Sequence, residues 1–64
     1  MDKAWVKNEL KEVVDKLNTI YDYLDSISMD AYNNDDDDMR FYIDDIMDKV
    51  NDVMDFSYQA YVSI

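Results

Sequence analysis

Nine aspartates stand between Asn33 and Asp55, in the stretch NNDDDDMRFYIDDIMDKVNDVMD, against only Arg40 and Lys49. Carboxylates at this density offer three kinds of chemistry: holding a cation, general acid and base catalysis, or engaging a basic surface on another molecule. A twelve-residue calcium loop begun at Asn33 places Asn33, Asp35 and Asp37 at positions 1, 3 and 5 and Asp44 at position 12. It also puts Asp38 where the sharp turn calls for Gly, and Asp44 where the bidentate Glu belongs, so only loose cation binding and no cofactor is expected. The chain has no His, Cys or Gly, hence no imidazole base, no thiol nucleophile and no glycine-rich phosphate cradle. Its paired carboxylates fall on helices with nothing to form a pocket, and the expectation is that the protein is not an enzyme.

The third chemistry accounts for more of the pattern. One aspartate of the pair Asp36 and Asp37 serves as a helix N-cap, and neighbours in the first turn complement the helix dipole. Capping does not require all four of Asp35, Asp36, Asp37 and Asp38, nor the acids further in. With Ile43 and Val50 taken as core, Asp44, Asp45, Asp48, Asp52 and Asp55 are expected on the side away from it, three to four residues apart, as one acidic stripe. Like charges at that spacing cost roughly 0.2–0.5 kcal/mol per pair, and only Lys49 offsets them locally. The two glutamates, Glu9 and Glu12, precede all of this; every later acid is the shorter, stiffer Asp, at some cost in helix propensity. Five carboxylates between residues 44 and 55 occupy about 16 Å of helix, one per roughly 3–4 Å, against about 3.4 Å between phosphates along a DNA strand.

The charge is uneven along the chain. Residues 1–20 balance Lys3, Lys7, Lys11 and Lys16 against Asp2, Glu9, Glu12 and Asp15, so the net charge of −10 belongs to residues 21–64. Eight of the nine aromatic residues lie in that acidic part. Tyr32 in the connecting segment, with Phe41 and Tyr58 on the outer side of the second helix, are candidate anchors of an interface. Tyr21, Tyr23, Tyr42, Phe56 and Tyr61 are expected to widen the core instead.

Two long helices must position these groups. Val6, Leu10, Val13, Leu17, Ile20, Leu24 and Ile27 repeat with spacings of 4 and 3, a heptad seam, and predict a helix from about residue 2 to 28. Trp5, Val14, Tyr21 and Tyr23 widen the stripe. Met39, Ile43, Ile46, Val50, Val53, Ser57, Ala60 and Ile64 repeat in the same way and predict a second helix over about 37–62. A period-two alternation from Phe56 to Ile64 also fits a short strand, but a lone strand would lack a partner. Residues 29–36, rich in Asn and Asp, are expected to form an acidic loop. The fold class is therefore all-α: a single domain over residues 1–64 made of two antiparallel helices in an αα-hairpin. A chain this short has a marginal core and no Cys or His for a disulfide or zinc staple, so dimerisation into a four-helix bundle, or a higher oligomer, is expected.

In size, charge and helical design, though in no shared motif, the chain resembles the acidic DNA-mimic inhibitors that phages deploy against host nucleases, anti-CRISPR proteins among them. The resemblance implies a basic protein partner, a nuclease or other nucleic-acid-binding protein, engaged by Asp35–Asp38, Asp44–Asp55, Tyr32, Phe41 and Tyr58. Direct binding of nucleic acid or anionic membrane is not expected of so acidic a surface. No membrane-spanning run or signal-peptide pattern is seen, and the expected location is the cytoplasm, that of the host cell if the gene is a phage's. The alternative is a homo-oligomeric structural or adaptor bundle whose acidic face serves solubility.

Overall fold

The computed structural model describes residues 2–64 and contains two α-helices, α1 (Lys3–Asn33) and α2 (Asp37–Ser63), packed antiparallel along their length. The Cα trace is a rod of 49 × 14 × 14 Å. Asp2 starts α1 by accepting hydrogen bonds from the backbone N–H groups of Ala4 and Trp5, at 3.0 and 3.2 Å, which satisfies two donors that have no partner within the helix. With no Gly or Pro in the chain, nothing inside α1 stops it. It therefore continues five residues beyond the expected end, and most of the anticipated loop 29–36 is helical.

What ends α1 is a Schellman motif built on an aspartate. Asp35 adopts a left-handed conformation with φ of 55°. The Asp36 N–H then reaches back to the Ala31 carbonyl at 2.9 Å and the Asp35 N–H to the Tyr32 carbonyl at 3.1 Å, the bond pair that closes this motif. Asp36 turns at once into the N-cap of α2, its carboxylate accepting from the Met39 N–H at 3.1 Å. The connection is thus Asn34–Asp36, three residues. Asn33 to Asp44 is not a calcium loop, because Asp37 onward is already helical. The segment from Phe56 to Ser63 is helix and not strand.

The rotation of each helix differs from the expected one. The residues turned toward the partner helix are Leu10, Val14, Leu17, Tyr21, Leu24, Ser28 and Ala31 on α1, and Ile43, Met47, Val50, Met54, Ser57 and Tyr61 on α2. Half of each anticipated seam is therefore inside. The other half, Val6, Val13, Ile20 and Ile27 on α1 with Met39, Ile46, Val53 and Ala60 on α2, lies to one side. Val13, Ile20, Ile46 and Val53 are 41, 47, 46 and 50% exposed, and Ile64 is exposed too. Each apolar stripe is three rows wide, and a two-helix hairpin buries only two adjacent rows. In an antiparallel pair the leftover rows of both helices fall on the same flank, so they form one apolar face about 32 Å long from Val6 to Ile27. Tyr23, Tyr42 and Phe56, expected in the core, are exposed in the row that borders this face.

The interior is thin. Among the described residues only Ala31, Met47 and Ser28 are buried, and none of their side chains is fully enclosed. Each end of the seam is closed by a cation on an aromatic ring: Lys7 Nζ sits 5.0 Å from the Tyr61 ring centre at the open end, and the Arg40 guanidinium 4.9 Å from that of Tyr32 near the turn.

Candidate partner-binding surface

The flank opposite the apolar face is acidic. Helical geometry places Phe41, Asp45, Asp48, Asp52 and Asp55 on the outer surface of α2 and Tyr58 in the row bordering the seam, its ring centre 6.2 Å from that of Tyr61; all six are exposed. Phe41 and Tyr58 are 68 and 56% exposed, so the two aromatics stand among the carboxylates with most of their rings in solvent. Asp37 and Asp38 occupy the first turn of α2, where the helix dipole favours negative charge, and Asp35 and Asp36 form the turn itself. From Asp37 to Asp55 the acidic track covers about 27 Å of helix.

Asp44 departs from the expected stripe. It is half-buried between the helices, where it accepts a 2.8 Å hydrogen bond from the Ser28 hydroxyl and lies 3.8 Å from Arg40 Nε. Lying about 100° around the helix from Asp45, it turns into the groove between the helices. There it meets Asp25, Ser28, Met29, Tyr32 and Arg40. Tyr32 likewise is only partly free, since Arg40 stacks on it.

These contacts matter for the charge of the whole face. Arg40 and Lys49 are the two cations available to offset the acids of this part of the chain. Arg40 is committed to Asp44 and Tyr32, and this is the one ion pair among the described residues. Lys49 is four residues from Asp45 and three from Asp52 but bridges neither; it belongs to the row bordering the apolar face. Asp45, Asp48, Asp52 and Asp55 are consequently solvated and uncompensated.

The antiparallel register adds acids that a reading of α2 by itself does not find. Ser28 meeting Asp44 fixes the register, and with it Asp15, Asp22 and Asp25 of α1 come round to the acidic flank. Asp25 lines the same groove as Asp44. The signal was present in the sequence: once two helices are paired by a short turn, positions summing to about 72 lie level, as 28 with 44 and 32 with 40 do. The register also sorts charge along the rod. Residues 17–55, toward the turn, hold twelve aspartates against Arg40 and Lys49, a net −10. The open end balances Lys3, Lys7, Lys11 and Lys16 against Asp2, Glu9, Glu12 and Asp15 and adds an uncharged C-terminal segment from Phe56 to Ile64, so it is neutral.

Such a surface can attract and orient a cationic partner through its field and hold it through the two exposed rings. Among the described residues, no group of three or more acidic side chains converges closely enough to hold a metal ion, and no helix is long and apolar enough to cross a membrane. No protein-family model matches the chain, and neither a curated protein nor a solved structure matches it.

Proposed function

We propose that this protein is a non-catalytic binding protein whose acidic flank occupies a basic, nucleic-acid-binding surface of another protein and so excludes its nucleic acid. The observation that carries this reading is the run of uncompensated carboxylates at Asp45, Asp48, Asp52 and Asp55, continued at the turn by Asp35–Asp38 and flanked by the exposed Phe41 and Tyr58. Lys and Arg side chains that otherwise hold phosphates would meet carboxylates about 5 Å apart along α2, against roughly 3.4 Å between phosphates of one strand. The inhibitor reading, of the DNA-mimic kind found among phage anti-defence and anti-CRISPR proteins, places the protein in the cytoplasm beside its target, a nuclease or another nucleic-acid-binding protein.

The architecture proposed with this function is a pair of hairpins forming a four-helix bundle. A second reading is supported by the exposed apolar face: a homo-oligomeric structural or adaptor module in which the aspartates only keep the assembly soluble. Reversing Asp45, Asp48 and Asp52 to Lys separates the two. Under the inhibitor reading the variant keeps its helical circular dichroism but loses binding to the target. Under the structural reading its assembly and function persist, and its stability rises as repulsion between neighbouring carboxylates is relieved.

A further inference from the structure

The uncovered flank of Val13, Ile20, Ile27 and their α2 counterparts, with half-buried Val6 at its end, points to its own occupant. We propose that it seats a second copy of this chain, inverted end for end, so that the acidic turn of each hairpin lies beside the charge-neutral open end of the other. This deepens the four-helix-bundle reading by naming the face and the direction of pairing.

Three observations carry it. The first is area. A compact protein of 7.7 kDa exposes about 4,300 Å². This hairpin exposes 5147 Å², an excess of about 800 Å². That matches the roughly 800 Å² per partner removed by a standard protein interface.

The second is charge within the face. All eight residues of the leftover rows are apolar, on a chain of net charge −10. The bordering row holds Glu9 and Asp30 against Lys16 and Lys49, so it too is neutral. Two molecules of this charge repel one another wherever their acidic flanks meet, and the neutral face is where they can approach.

The third is charge along the rod. Side-by-side pairing in the same direction would set two turns, each with Asp35–Asp38, against each other. Inversion brings each turn alongside the charge-neutral open end of the other copy instead, which avoids that repulsion. It also leaves the two acidic flanks facing outward on opposite sides of the bundle.

The test is sedimentation equilibrium with a distance measurement. The wild-type chain should have the mass of two chains, 15.4 kDa against 7.7 kDa for one. Ile20→Lys with Val53→Lys should give a helical monomer, although it lowers the net charge that opposes pairing. Asn18→Lys with Asn51→Lys, on the opposite flank, should remain a dimer. A nitroxide on Asn34→Cys, in a chain with no other cysteine, should report a separation of about 45 Å or more by pulsed electron paramagnetic resonance, near the 49 Å length of the rod.

A wild-type monomer, or a mass above two chains, would overturn both the paired bundle and this face. A dimer that survives the Ile20 and Val53 changes overturns the face but leaves pairing intact. A nitroxide separation below about 25 Å overturns the inversion. If the double lysine variant loses its helices, cross-linking by a short bismaleimide decides: Ile20→Cys should yield a covalent dimer and Asn18→Cys should not, and the opposite pattern refutes the face.

Discussion

Replacing Asp35 by Gly should make the hairpin more stable even though it removes a residue of the candidate binding surface. Asp35 is held at φ of 55°, the left-handed position that ends α1. For an L-residue with a Cβ this conformation costs roughly 1–2 kcal/mol, with Asp at the lower end because its short polar side chain tolerates it. Gly avoids that cost but loses more backbone freedom on folding, by roughly 0.5–1 kcal/mol. The substitution also removes one of four adjacent negative charges. With roughly 0.2–0.5 kcal/mol from the relieved repulsion, the sum is a gain of up to about 1 kcal/mol, which for a domain of this size raises Tm by up to roughly 8 °C. Asp35→Ala is the matched control: it removes the same charge but keeps the Cβ, and should be less stable than Asp35→Gly by about 1 kcal/mol. Urea unfolding followed by circular dichroism at one fixed chain concentration measures both. If Asp35→Gly is no more stable than Asp35→Ala, the left-handed turn is not what joins the helices and the three-residue connection is wrong.

Asp36→Ala removes the N-cap of α2 and its bond to the Met39 N–H, and should lower stability by about 1 kcal/mol, seen as a lower urea midpoint with an unchanged slope. Ser28→Ala takes the hydroxyl from Asp44 and should cost about 1.5–3 kcal/mol, the range for a hydrogen bond to a charged group. In a double-mutant cycle with Asp44→Ala the two effects should fall short of additivity by at least about 0.5 kcal/mol, whereas additivity would mean that the contact contributes nothing. Leu17→Ala, in the seam, should unfold the hairpin more readily than Thr19→Ala on the outer surface, with the difference read from thermal melts; equal effects would contradict the rotation assigned to α1.

Much of the fold can be read in the sequence because its signals are local. The 4 and 3 spacing of Leu10, Val13, Leu17, Ile20 and Leu24, and of Ile43, Ile46, Val50, Val53 and Ser57, specifies two helices. The cluster of Asn and Asp between them marks where the chain turns. The rotation of each helix about its own axis is not legible in the same way. Val6, Val13, Ile20 and Ile27 satisfy the heptad pattern as well as Val14, Tyr21 and Ser28 do, and only tertiary pairing chooses between them. Residue preference even misleads, since Ile20 is exposed while Ser28 is buried, its hydroxyl satisfied by Asp44.

The loop boundary was obscured for a different reason. Asn33 and Asn34 are good turn residues, but a Schellman motif needs only one left-handed residue, and Asp35 supplies it where Gly would be the usual choice. Within the acidic track, Asp45, Asp48, Asp52 and Asp55 stand on the outer surface as their spacing indicates. Asp44 is drawn inward because it is level with Ser28, a relation that exists only after the hairpin is formed. The same relation brings Asp15, Asp22 and Asp25 to the acidic flank, although they are distant from it in sequence.

The central claim is that the acidic flank takes the place of nucleic acid on a protein. Its most direct test is to immobilise the wild-type chain, pass a low-salt cell extract over it and elute with duplex DNA, beside a second column carrying the Asp45, Asp48 and Asp52 to Lys variant. The account predicts a nucleic-acid-binding protein that duplex DNA and rising salt both release and that the variant column does not retain. Recovery of only further copies of the chain, or of a partner that DNA does not displace and the variant binds equally well, would contradict it.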